Sequence, residues 1–300
     1  MTANSATLRT KRNSRQTRER VALTVRYVIM VVLAVVLLFP FLYMVSKSLM
    51  TSEEVVDPTI KFFPSVPQFY NYVELFTVKN EGTTGYLMGT VHTLLVVGFN
   101  IVAISISASL IAFSFAKLQW IGRNVMFALM LGTMMLPAVV TQLPLYVIYT
   151  KMGWIDTLLP FTIPNLFGGG AIYIFLIRQF MMGIPRDIDN AAQIDGANAF
   201  CRYWMIVLPL CKSVLVYVVV NVIITYWGDY YGPLMYMSSS DAPKTLALVV
   251  FESTMEENVA MDKANIRMAA GVFMSLIPAV LFAFFQKELI EGVTMGSVKG

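Results

Sequence analysis

Six stretches of this chain hold no Asp, Glu, Lys or Arg over close to the length a helix needs to cross a bilayer. They are residues 27–46, 86–116, 124–150, 157–177, 213–228 and 268–286, and the fifth is expected to continue past Asp229 through 230–237. About 20 apolar residues cover the hydrocarbon layer. An Asp, Lys or Arg at the centre of such a helix costs about 2.5–3.5 kcal/mol, so charge-free windows mark the segments that lipid tolerates. Composition agrees: 57% of the 300 residues are hydrophobic and 13% are charged, against about 25% charged in a soluble domain. The expected fold class is an all-α integral membrane protein with six transmembrane helices.

Lys and Arg orient such a bundle, because they accumulate in its cytoplasmic loops. Seven basic residues, from Arg9 to Arg26, precede or border the first window. Placing that end in the cytoplasm puts fifteen of the 22 Lys and Arg inside and seven outside, with both termini cytoplasmic. The net charge of +4 is thereby assigned to membrane orientation, with no nucleic-acid partner. The first apolar run exceeds the roughly 7–15 residues of a signal peptide's apolar core and no small-x-small site follows it, so it is read as a retained span.

Organisation follows from these marks. Residues 1–22 form a basic cytoplasmic arm, expected to be unstructured near anionic lipid. Residues 23–290 form the membrane domain, and 291–300 a cytoplasmic tail. Pro137, Pro144, Pro160 and Pro164 interrupt the third and fourth windows, and Gly168, Gly169 and Gly170 follow in the fourth. Pro233 and Pro278 punctuate the last two. Broken backbone at membrane depth is tolerated against protein or a water-filled cavity, so both a translocation path and kinked packing fit. Gly85 and Gly89 form a GxxxG, a spacing that favours close helix approach. The loop at 47–85, dense in Phe, Tyr and Pro, suits a folded cap or docking surface.

Residues 183–209, GIPRDIDNAAQIDGANAFCRYWMIVLP, are the most informative. Pro185 opens a helix and Asp187 and Asp189 fall in its first turn, where the macrodipole favours acids. Ile188, Ala191 and Ala192 make a shallow apolar face, and Gly196 supplies a left-handed stop. Phe200 and Trp204 then begin a second amphipathic run that Pro209 leads into the fifth window. The pattern fits a helix entering a partner's groove and equally a helix resting on lipid.

The AAQIDGA of this segment, with its IVLP, resembles the "EAA" loop of ABC importer permeases of the carbohydrate-uptake group, which includes the membrane subunits of the maltose transporter. Trp227, Asp229, Pro233 and Leu234 resemble the group's block around the fifth span. Phe285, Gln286, Gly292, Gly296, Val298, Lys299 and Gly300 resemble its ending, and Pro144, Leu145 and Tyr146 its third-span P-L-Y. Asn190 stands where the group has glutamate, and Gly228 where it has asparagine. The resemblance implies a type I ABC importer permease fold with a cytoplasmic coupling helix, in a bacterial cytoplasmic (inner) membrane. It implies partners: a second related permease, two ATPase subunits and an extracellular or periplasmic sugar-binding protein. Asp189, Asn190, Ala191, Ala192, Ile194, Asp195, Gly196 and Ala197 would couple to the ATPase, and Lys299 and Gly300 would lie against it.

Other chemistries find little support. No G-x-x-x-x-G-K-[ST] occurs, so phosphates have no P-loop here, and ATP and Mg belong to the partner subunits while this chain holds no cofactor. One histidine, His92, excludes a multi-His metal site. Gly228–Asp229 resembles the G-D of intramembrane aspartyl proteases, but that chemistry needs two aspartates and no other window holds one. An ion-coupled carrier, the remaining alternative, usually buries an ionisable relay near mid-membrane. Asn100, Asn221, Tyr226, Trp227 and Asp229 are the candidates for a substrate path, with interhelical hydrogen bonding the competing role.

Overall fold

A computed structural model describes residues 3–59, 61–77, 84–255 and 263–297, with side chains from 20 to 289 within those ranges. Among them the chain is helical without strands, as expected. The helix α1 (Ala3–Ser48) begins inside the arm expected to be unstructured. The correction has a simple cause: once the apolar run forms a helix, each added residue gains one hydrogen bond without a new nucleation cost. Two short helices, α2 (Ser52–Val56) and α3 (Tyr70–Thr77), follow in the first loop, then α4 (Tyr86–Lys117).

The third window is broken. Its halves, α5 (Arg123–Thr133) and α6 (Ala138–Lys151), bend by 97° at Pro137, where the ring's fixed φ and missing N–H forbid a continuous helix. The fourth opens as two 3-10 turns, Leu159–Phe161 and Ile163–Phe167, and continues as α7 (Ala171–Gly183). Then come α8 (Arg186–Ile194) and α9 (Ala199–Leu210), with π-helical turns at Arg202–Val207. At a bend of 77°, α9 passes into α10 (Lys212–Gly228). The chain is completed by α11 (Tyr231–Tyr236), α12 (Leu246–Met255) and α13 (Ala264–Ser297).

Among the described residues four helices are long and apolar enough to cross a membrane, and up to six spans result if each bent pair counts as one. The fifth window departs from expectation at its end. Asp229 is extended (φ −74°, ψ 106°), so α10 stops at Gly228 and α11 is a separate helix. The centre is α4, against which α7, α10, α12 and the second 3-10 turn pack. Ile104, Ala108 and Ala112 on α4 meet Ile177 and Met181 on α7 and Val218 on α10 in one buried cluster. By contrast α1 lies along α13, and its most apolar stretch is unburied.

The loop that joins α1 to α4 is folded. Asn71 on α3 donates to the carbonyls of Ser48 (2.8 Å) and Met50 (2.9 Å), and Asn265 of α13 donates to its Oδ1 at 3.0 Å. Gly89 lets the backbone at Leu246 approach α4 closely, since a Cβ there would meet Leu246 Cα at 3.1 Å. Its GxxxG partner Gly85 caps the helix instead.

Candidate functional site

At the end of the bundle away from that loop, α8 forms as the sequence dictates. Pro185 precedes its first turn, Asp187 and Asp189 sit there, and Gly196 adopts φ +82°. Gly196 N–H donates to Gln193 O (3.1 Å) and Ala197 N–H to Ala192 O (2.9 Å). This double bond is the Schellman closure, which a left-handed glycine permits. Asn198 then caps α9, its side chain accepting from Cys201 N–H at 2.8 Å.

Three contacts hold α8 and the turn that leads into it against the rest of the chain. Asp189 accepts from Arg202 Nη1 at 3.0 Å, with both side chains nearly buried. Lys117, at the end of α4, donates to Ile184 O at 3.1 Å. Ala192 is buried against the chain itself, so the small face expected to enter a partner's groove is partly used inside. Asn190, Ala191 and Asp195 are exposed, and Ile194 is 86% exposed. Beyond the glycine, Phe200 and Trp204 stack with centroids 6.4 Å apart and remain exposed, as does Met205. The end thus presents apolar groups with no cover from the described residues. Lys299 and Gly300 lie outside the described residues.

Inside the bundle, polar groups gather where the fourth window breaks. Asn165, in the second 3-10 turn, directs its amide at Asn100 Oδ1 (3.0 Å), Phe161 O (2.9 Å) and Tyr226 Oη (2.7 Å). Asn100 donates to Phe161 O at 2.8 Å. A 3-10 stretch leaves carbonyls without helical partners, and both asparagines donate to that of Phe161. Gly168, Gly169 and Gly170 follow, all with positive φ. A Cβ on Gly169 would approach Ile104 Cγ1 to 2.4 Å.

The path candidates are therefore engaged within the chain. Asn100 is fully buried, Asn221 accepts from Tyr173 Oη at 3.0 Å, and buried Trp227 donates to Met274 O at 2.8 Å. Asp229 accepts from Gly232 N–H at 3.0 Å and fixes the start of α11. Asn100 and Tyr226 meet through Asn165, while Asn221, Trp227 and Asp229 stand apart from that network. The sequence reading missed Asn165 and Tyr173, although an asparagine beside Pro164 and three glycines signals a backbone in need of partners. It also missed Arg202, whose pairing with Asp189 crosses the glycine break. Among the described residues no three His, Cys, Asp or Glu come together to hold a metal ion. The arrangement suits docking and hinged movement.

Comparisons with known proteins agree on one class. The family model described as "Binding-protein-dependent transport system inner membrane component" matches residues 104–294. The arabinooligosaccharides transport system permease protein AraQ of Bacillus subtilis is 29% identical over 283 residues, covering 94% of this chain and 96% of that protein. The galactooligosaccharides transport system permease protein GanQ of the same organism is 27% identical, covering 94% and 98%. A bacterial ABC transporter involved in the import of the acidic polysaccharide alginate contains a chain of the same fold, with TM-score 0.74 and 19% identity, covering 90% of this chain and 96% of that one.

Proposed function

The chain belongs to the family of binding-protein-dependent transport system inner membrane components, and from that premise we propose that it is the permease subunit of an ATP-driven importer for a sugar or oligosaccharide. The observation that carries this reading is the likeness, end to end, to permeases named for oligosaccharide transport. The ATPase, a second permease and an external binding protein complete the machine in this proposal. Orientation comes from the Lys and Arg bias, with both termini and residues 183–209 in the cytoplasm. The loop at 47–85, where Phe63 and Phe69 are exposed, then faces the binding protein.

In this mechanism Asp189–Ala197 is the segment the ATPase grips, with Asn190, Ala191 and Ile194 outward. Force on α8 passes to α9 through Asp189–Arg202, to α4 through Lys117, and to α7 through Pro185. The glycines at 168–170 let α7 turn while Asn100, Asn165 and Tyr226 hold the other half of that span. A substrate passing along the break meets Asn221, Tyr226 and Asp229 once α7 has moved. Lys299 and Gly300 rest on the ATPase, which binds ATP and Mg.

Reconstitution tests the reading. With all partners in proteoliposomes, sugar uptake requires ATP and the binding protein, and this chain alone moves nothing. Sugar counterflow by the isolated chain would instead establish an ion-coupled carrier. Ser240→Cys should label from outside and Asn198→Cys only from inside; reactivity the other way round at both sites would reverse the topology.

A further inference from the structure

We propose that the cavity enclosed by the ends of α4, α5 and α7 and by α8 binds the phosphate headgroup of an anionic phospholipid. The proposal rests on the membrane reading and is independent of which solute is carried.

The cavity measures about 260 Å³, and Lys117, Arg123, Arg178 and Arg186 line it with Asp189 and Asn190. Asp189 is already taken by Arg202, and none of the four lining cations is ion-paired among the described residues. Lys117 and Arg123 each place one donor on a backbone carbonyl, of Ile184 and Leu118. Arg178 lies over the Phe127 ring at 3.9 Å, and its Nε is buried without a hydrogen-bond partner. The charges of Arg123 and Arg178 oppose one another. Like charges held in a partly desolvated recess destabilise each other until a counter-ion enters. Asn190, a neutral residue where the carbohydrate permeases that this segment resembles carry glutamate, supplies no such charge. The missing anion must come from outside the described residues.

Depth selects its source. Arg178 precedes the end of α7 at Gly183 by five residues, which at 1.5 Å per residue sets it about 7–8 Å inside the span. On the membrane reading the ends of α4, α5 and α7 meet the headgroup layer, and Arg178 lies on the membrane side of α8, away from the exposed face that a soluble subunit would meet. Beside the opening, α5 buries none of its residues, and Val125, Met126 and Leu129 offer an exposed apolar surface for acyl chains. Basic pockets between transmembrane helices recognise such headgroups, and the guanidinium fork matches phosphate oxygens in pairs.

The test uses the full chain purified in a neutral detergent, with phosphatidylglycerol and phosphatidylcholine supplied in equal amounts. Lipid retained by the protein is read by native mass spectrometry. Phosphatidylglycerol should be retained about tenfold over phosphatidylcholine. The preference should vanish in Arg123→Gln/Arg178→Gln, persist in Arg178→Lys, and be untouched by Lys212→Gln, which alters a cation outside the cavity. Should the double variant fail to fold, the exposed Arg186→Gln must still weaken the preference. Equal retention of the two lipids by the unaltered chain would overturn the proposal. So would retention of inorganic phosphate in place of lipid. If the arginine variants lose co-purification with the ATPase while lipid retention is unchanged, an acidic face of that partner owns the cavity and the lipid assignment fails.

Discussion

The two ends of this molecule are built on opposite plans. Around the 47–85 loop, buried polar groups find partners within the chain: Asn71 with Ser48, Met50 and Asn265, and Lys244 with Glu252 at 2.8 Å. At the 183–209 end, Lys117, Arg123, Arg178 and Arg186 gather without an ion pair among the described residues, and Ile194, Phe200 and Met205 stand in the open. Apolar groups and unbalanced charge are both unfavourable toward water, and a chain tolerates them where something else completes the surface. The first end pairs most of its buried polar groups from its own sequence and leaves an apolar surface, Phe63 and Phe69 among it, open to a partner. The second is finished by neighbours, and among the described residues Asp189–Arg202 is the ion pair that it keeps for itself.

That contrast can be broken most sharply at this bond. Asp189→Ala leaves Arg202 charged, nearly buried and alone, which should cost about 3 kcal/mol and lower the melting temperature of the purified chain. Adding Arg202→Leu should recover part of the loss, and no recovery would mean that the pair is incidental. Next in size is Asn71→Leu at the other end. It strands two carbonyls and the Asn265 amide, for about 2 kcal/mol, with sugar-stimulated ATPase activity normal once the complex is assembled. A variant that folds well yet uncouples would show that the loop end also transmits force.

Gly196→Val should cost about 1–2 kcal/mol, because a side chain at positive φ is strained even though nothing crowds that position. Transport should fall further than stability, since the Schellman turn aims α9. Equal loss of both would reduce Gly196 to a structural stop. Smallest in stability is Ile194→Ser, below about 0.5 kcal/mol for so exposed a residue. It should nevertheless reduce co-purification with the ATPase. Unchanged co-purification would mean that α8 lies on lipid.

The sequence made α8 legible to the residue, because proline, aspartate and glycine act locally at its ends. The charge-free windows coincide with the apolar helices and bent pairs for the same kind of reason, lipid being uniformly hostile to charge. What escaped were long-range choices. Nothing local tells Ala192 to turn inward while Ala191 turns outward, since that depends on how α8 lies against the spans. Arg202 was read only as a basic residue marking the inner side, because its partner lies across the glycine turn. The extension of the fifth window past Asp229 failed where a side chain bonded Gly232 N–H and began a new helix. Asn165 was passed over because its value lies in carbonyls that a regular helix would have satisfied.

The three glycines of the broken span bear on how such a chain drifts over generations. Glycine codons share their first two bases, and only the third can change silently. A Cβ at Gly168 would press on Ile174, one at Gly169 on Ile104, and Gly170 holds φ +125° and ψ 147°, a region essentially closed to other residues. Substitutions at Gly168 and Gly169 should therefore be selected against unless Ile174 or Ile104 shrinks first, and at Gly170 no such relief exists. Lineages that have lost Gly168 or Gly169 should carry alanine or valine at the matching isoleucine, the earlier change leaving its order written in the pair.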